Sequence, residues 1–149
     1  MPKVYLDACC LNRPFDDQTQ ERIRLESEAA LLVMKRFQER GDWVWVGSDA
    51  LEYEIDQIPD PERRRRVRGL ASFCTVREAS GDVADRAKEL QGLGFKAVDA
   101  LHVACAEKAG CDVVLTTDDR MLRAAKRNAD RLHVQVKNPV EWLLEEGES

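Results

Sequence analysis

Four carboxylates stand where they could share a metal: Asp7, Glu54, Asp99 and Asp118. Asp7 ends the short apolar run Lys3-Val4-Tyr5-Leu6, and Asp118 follows closely on the run Asp112-Val113-Val114-Leu115-Thr116. A buried strand that stops on an acid sets a carboxylate at the C-terminal edge of its sheet, where ligands collect in open α/β folds. Asp99 opens the apolar stretch Ala97 to Ala109, a costly place for an acid without a partner. Glu54 lies in the helix expected after the second strand. Glu52 competes with it, because two helical residues change direction by about 200° and only one of the pair can face the site. Crowded carboxylates repel unless a cation holds them. Hard oxygen donors without a histidine or cysteine cluster favour Mg²⁺ or Mn²⁺ over zinc. Such ions serve phosphodiester hydrolysis by activating water and stabilising charge on phosphoryl oxygens. Each acid alone has a plainer explanation: Asp118 as a helix cap, Asp99 as a helix N-terminal acid, Glu54 as a solvent-facing residue. Their joint placement on one predicted edge is what favours a site.

The elements that must position them alternate strand and helix. After the first strand, Asn12-Arg13-Pro14-Phe15-Asp16-Asp17 reads as a loop. Residues 21–40 read as a helix with Ile23, Ala30, Met34 and Phe37 on one face, stopped by Gly41. Trp43-Val44-Trp45-Val46 is a strand ending at Gly47, and Ser48-Asp49 offers the cap of the helix that carries Leu51, Glu54 and Ile55. The two Trp rings, on one strand face, are expected to pack on a helix or a dimer partner rather than stack on bases. A helix over 62–70, a strand around Phe73-Cys74-Thr75-Val76 and a helix from Gly81 to about Leu90 follow. The spacing then predicts helices over 97–109 and 120–128, with the strand 112–116 between them. The strand His133-Val134-Gln135-Val136 and a helix opened by Pro139 complete the chain. Connections long enough for crossovers predict a mostly parallel sheet with helices on both faces, in one domain spanning residues 1–149.

Composition narrows the class. At 149 residues, 44% hydrophobic and 34% charged, the chain is expected to fold around a substantial core. A net charge of −5 argues against a dedicated basic coat for nucleic acid, though not against a local groove or a metal that reverses the sign of the site. The cysteines Cys9, Cys10, Cys74, Cys105 and Cys111 lack CxxC spacing and read as reduced thiols of a cytoplasmic protein. The chain enters a strand at once and no apolar run approaches the about 18–20 residues of a membrane span, so neither a signal peptide nor membrane association is expected.

Four motifs together resemble PIN-domain ribonucleases, of the kind found as VapC-type toxins of bacterial toxin–antitoxin pairs. They are Val4-Tyr5-Leu6-Asp7, Ser48 with Glu54, Val98-Asp99-Ala100-Leu101-His102-Val103-Ala104, and Leu115-Thr116-Thr117-Asp118. The third is the most specific. The resemblance implies a three-layer α/β/α fold and Mg²⁺- or Mn²⁺-dependent endoribonuclease activity on RNA. It also implies frequent homodimers and inhibition by a cognate antitoxin. By motif position it makes Asp7, Glu54, Asp99 and Asp118 the metal-site acids. The family often follows its first Asp with Thr and then Asn or Ser, whereas Ala8 and Cys9 follow here. Asn12 is a candidate for the missing polar contact, and Thr116 a candidate to support a ligand carboxylate. Arg13, Arg63 and Arg64 are candidate contacts to the RNA backbone, against the commoner outcome of a solvated face. His102 is expected to be a packing residue.

Other classes fit less well. A haloacid-dehalogenase-type phosphotransferase wants an Asp two residues after Asp7, where Cys9 stands, and a dinucleotide site wants GxGxxG after the first strand. The main alternative is a non-catalytic PIN-like module that binds or assembles.

Overall fold

The computed structural model describes residues 2–39 and 41–146. Five strands form its sheet: β1 (Lys3–Leu6), β2 (Val44–Ser48), β3 (Val76–Glu78), β4 (Val113–Leu115) and β5 (Gln135–Lys137). Their order is β3-β2-β1-β4-β5, and every neighbouring pair is parallel. The helices between them are α1 (Ala8–Asn12), α2 (Glu21–Glu39), α3 (Asp49–Asp56), α4 (Pro61–Ala71), α5 (Ala84–Gly92), α6 (Ala97–Lys108), α7 (Asp119–Arg127) and α8 (Pro139–Glu146). The predicted three-layer α/β/α architecture with a mostly parallel sheet is the one observed.

Strand alternation builds the layers. Val4 and Leu6 of β1 face one way with Trp45, Val113 and Leu115, and meet Ala30, Val33 and Met34 of α2 and Trp142 of α8. Tyr5 faces the other way with Val46 and Val114, against Val103 and Ala104 of α6 and Met121 of α7. The predicted packing of the Trp rings holds: Phe37 stacks on Trp45 at 5.2 Å and meets Trp43 edge-on at 5.9 Å. Gly110, at φ 73°, ends α6 in a conformation that suits glycine. Among the described residues no helix is long and apolar enough to cross a membrane.

The departures from expectation are local. The predicted loop after β1 is instead α1 followed by a 3₁₀ turn over Arg13–Phe15. Asp7 makes that helix possible by accepting the Cys10 amide as its N-cap, and Pro14 needs no amide donor in the tight turn. The third strand lies at Val76–Glu78 rather than around Phe73, which is 58% exposed. The last strand starts two residues later than expected, at Gln135. The end of the predicted first helix, Arg40, lies outside the described residues.

Candidate active site

Strand order reverses direction between β1 and β4, and the crevice beyond the C-terminal ends of such a pair is where α/β sheets take ligands. Asp7 leaves β1 at that point, its amide bonded to the Leu115 carbonyl of β4 at 3.2 Å. Its carboxylate is 2% exposed. It accepts the Cys10 amide at 3.1 Å and the Thr116 hydroxyl at 2.5 Å. Thr116 in turn accepts the Asp118 amide at 3.1 Å, so one hydroxyl ties the two strand-end acids together. Asp118 caps α7, accepting the amides of Arg120 and Met121 at 2.9 and 3.3 Å.

Glu54 and Glu52 part company on α3. Glu54 accepts from or shares a proton with His102 Nε2 at 2.8 Å, whereas Glu52 pairs with Arg77 of β3 at 2.5 Å on the opposite side. Asp99, 9% exposed, stands on the first turn of α6.

The electrostatics show that the four acids share one region. Each of them raises the Cys9 thiol, Asp7 most strongly, so Cys9 is no thiolate nucleophile. Burial pushes Asp7 up to about 7, with Glu54 adding to the rise and His102, Thr116 and Cys10 opposing it. Burial likewise lifts Asp99 to about 6, with Asp118 and Glu54 adding and His102 opposing. Desolvated carboxylates that disfavour one another's charge are an arrangement a cation relieves. The donors are all hard oxygens, which suits Mg²⁺ or Mn²⁺. Among the described residues, no three ligating side chains close around a single point, because Asp7, Glu54 and Asp118 are each turned to a protein donor. An ion would therefore be held in part through water or after small rotations of these carboxylates.

The other candidates are paired within the chain. Asn12 donates to the Ala8 carbonyl at 2.8 Å and accepts from Arg63, so the polar contacts of Asp7 come from Thr116 and the Cys10 backbone instead. Arg13 is spent on Asp16 and Glu26, Arg63 on Asp16 and the Phe15 carbonyl, and Arg64 on the Ile58 carbonyl. Arg13 and Arg63 knit the turn after α1 to α2 and α4, and Arg64 ties α4 to the segment after α3. Sequence reasoning missed His102 as a site residue. It is fully buried yet bonded to both Glu54 and Tyr5, and its only signal was its place three residues after Asp99.

The PIN-domain family model matches residues 49–127. No curated protein matches the chain. Among solved structures, a chain of VapBC2 from Rickettsia felis, crystallised with a DNA fragment from their promoter, superposes with a TM-score of 0.53 at 13% identity. That match covers 91% of this chain and 98% of the other. PAE2754 from Pyrobaculum aerophilum superposes with a TM-score of 0.53 at 18% identity, covering 97% of this chain and 88% of its own. At these identities the likeness concerns the fold. The family match spans more than half of the chain and includes Glu54, Asp99 and Asp118: the chain belongs to the PIN-domain family.

Proposed function

We propose that this protein is an endoribonuclease dependent on Mg²⁺ or Mn²⁺, with residues 1–149 as its one nuclease domain, and that it acts as the toxin of a toxin–antitoxin pair. The observation that carries the reading is Asp7: a buried acid lifted to about 7 at the switch point of a parallel sheet, in the shared field of three further acids. Asp7, Glu54, Asp99 and Asp118 are the residues that would hold the ion. A bound divalent ion supplies an activated water and neutralises charge on the phosphoryl oxygens. Thr116 holds the Asp7 carboxylate and the Asp118 backbone in one unit. Glu54, half-exposed at the rim, is placed to orient a water or accept its proton.

Partners follow from the same reading. The fold neighbour VapBC2 was crystallised bound to a DNA fragment from their promoter, and the resemblance of this chain's motifs to VapC-type toxins favours an antitoxin for it. Leu25, Leu31 and Leu32 of α2 and Leu144 of α8 are exposed, apolar surface of the kind an antitoxin or a second copy covers. The free cysteines fit a reducing, cytoplasmic setting. One observation favours the non-catalytic alternative: the arginines nearest the turn after α1 are already paired within the chain, leaving RNA fewer cations to meet.

The test is cleavage of a mixed RNA pool by purified protein. The proposal expects cutting with Mn²⁺, none with EDTA, and a loss of at least about 100-fold in Asp7→Asn, the scale on which removal of a key charge-stabilising group acts. Equal cutting by wild type and Asp7→Asn, or none by wild type with Mn²⁺, would leave the binding-module reading standing.

A further inference from the structure

His102 lies wholly buried in an apolar stretch of α6, yet both of its ring nitrogens are engaged. Nδ1 is 2.6 Å from the Tyr5 hydroxyl and Nε2 is 2.8 Å from Glu54 Oε1. The Tyr5 oxygen also meets Ser48 Oγ at 2.6 Å, and Ser48 Oγ accepts the Leu51 amide at 3.1 Å as the cap of α3. The polar path thus leaves the first turn of α3, crosses β1 and α6, and returns to Glu54 further along the same helix.

Valence fixes the direction at the end of this path. An ionised carboxylate only accepts, so Nε2 carries a proton and donates to Glu54. With a neutral ring, Nδ1 accepts the Tyr5 hydroxyl. With a charged ring, Nδ1 donates to the Tyr5 oxygen and the phenol donates onward to Ser48. Both patterns pin the ring from behind and keep the same N–H aimed at Glu54. Glu54, whose side chain is 32% exposed, is held by this bond to a fully buried ring.

We infer that His102 is a positioning residue: its Nε2–H clamps one oxygen of Glu54 at the rim of the acid cluster, and the Ser48–Tyr5 pair holds the clamp. The inference rests on the metal-dependent reading above and adds to it a residue that touches neither ion nor substrate. Partners one shell out from a metal commonly set affinity by orienting the ligand in this way.

The test reads Mn²⁺ affinity of the metal-free protein from the free-ion electron paramagnetic resonance signal, so it does not depend on RNA cleavage. His102→Leu is expected to weaken Mn²⁺ binding about tenfold. His102→Gln, which keeps an N–H for Glu54, recovers most of that loss. In a Glu54→Gln background His102→Leu adds no further loss, because the histidine acts through that carboxylate. Wild-type affinity in folded His102→Leu overturns the inference, and so does a loss undiminished in the Glu54→Gln background. If His102→Leu does not fold, Tyr5→Phe decides: release of the ring weakens Mn²⁺ binding, and unchanged affinity in the folded variant overturns the clamp. Wild-type protein that takes up no Mn²⁺ overturns the metal reading itself and the inference with it, a failure distinct from the others.

Discussion

Asp7 and Glu26 are equally buried, each 2% exposed, and are treated in opposite ways by the residues around them. Glu26 on α2 receives Arg13 Nε at 2.8 Å, Arg22 Nε at 3.2 Å and Asn138 Nδ2 at 2.6 Å. Two cations and an amide compensate its charge, and the cluster ties α2 to the turn after α1 and to the segment before α8. Asp7 has one hydroxyl and one amide, the imidazole of His102 is the basic group acting on it, and Glu54 works against its charge. On the proposed reading, an interior that supplies arginines for one acid and withholds them from the other leaves the second for a cation from outside. The contrast separates an acid whose charge the fold compensates from an acid whose charge it leaves largely uncompensated, the one assigned above to chemistry.

The largest effect that tests this contrast is on the structural side. Glu26→Ala takes the buried shared acceptor from Arg13, Arg22 and Asn138 and is expected to destabilise the protein by about 3–5 kcal/mol in urea unfolding. A cost below about 1 kcal/mol would erase the distinction. Asp7→Asn should act with the opposite sign. Asp7 rises from its ordinary 3.8 to about 7 in the folded state, so the native form holds its proton more tightly than the unfolded chain. Stability is then intact below about pH 4 and lost as pH rises towards about 7, with Asp99, raised to about 6, acting in the same sense. At pH 8 without metal, Asp7→Asn is therefore expected to be more stable than wild type by up to about 4 kcal/mol, and near parity at pH 4. Thermal melts at the two pH values check it, and a destabilised variant at pH 8 would contradict it.

Metal should reverse that order. Mn²⁺ at a hundred times its dissociation constant is expected to stabilise wild type by about 2.7 kcal/mol, and Asp7→Asn by much less at the same concentration. Equal shifts in melting temperature would separate Asp7 from the ion. The smallest effect belongs to the exposed arginines. Among the described residues Arg65 pairs with the exposed Glu62 alone, so Arg65→Ala should move stability by less than about 0.5 kcal/mol and leave RNA cleavage unchanged. A large loss of cleavage would instead place that face on the RNA.

The features legible in the sequence are those that local chemistry dictates. Apolar runs such as Val113-Val114-Leu115 specify buried parallel strands, and Ser48 caps α3 as its side chain requires. The α/β alternation follows from them. Helix α1 escaped because its five residues are too few to show a helical period, and Pro14 next to it reads as a loop breaker. Strand β3 was misplaced because an exposed edge strand of three residues has little apolar pattern, while the apolar Phe73 beside it is exposed.

The site followed the same rule. Asp7 and Asp118 are legible because strand ends fix where they stand. The choice between Glu54 and Glu52 is not, since it depends on Arg77 and His102, which arrive from β3 and α6. The arginines of α4 suggested a phosphate surface because their partners, Asp16, Glu62 and Asp56, are distant or ambiguous in sequence. His102 reads as a core residue because it is one. Only the placement of Tyr5 and Glu54 on either side of it reveals the second role.

On the proposed reading, the Asp7 carboxylate, bonded to no arginine or lysine among the described residues, leaves its charge for a divalent ion to take. Calorimetric titration of Mn²⁺ into metal-free protein near pH 6.5, in buffers of different ionisation heat, tests it directly. Because Asp7 titrates at about 7, binding should expel protons, and the measured heat should vary with the buffer. Asp7→Asn should lose most of the affinity and the buffer dependence together. Mn²⁺ binding by wild type with no proton release, or binding of equal strength by Asp7→Asn, would contradict the account.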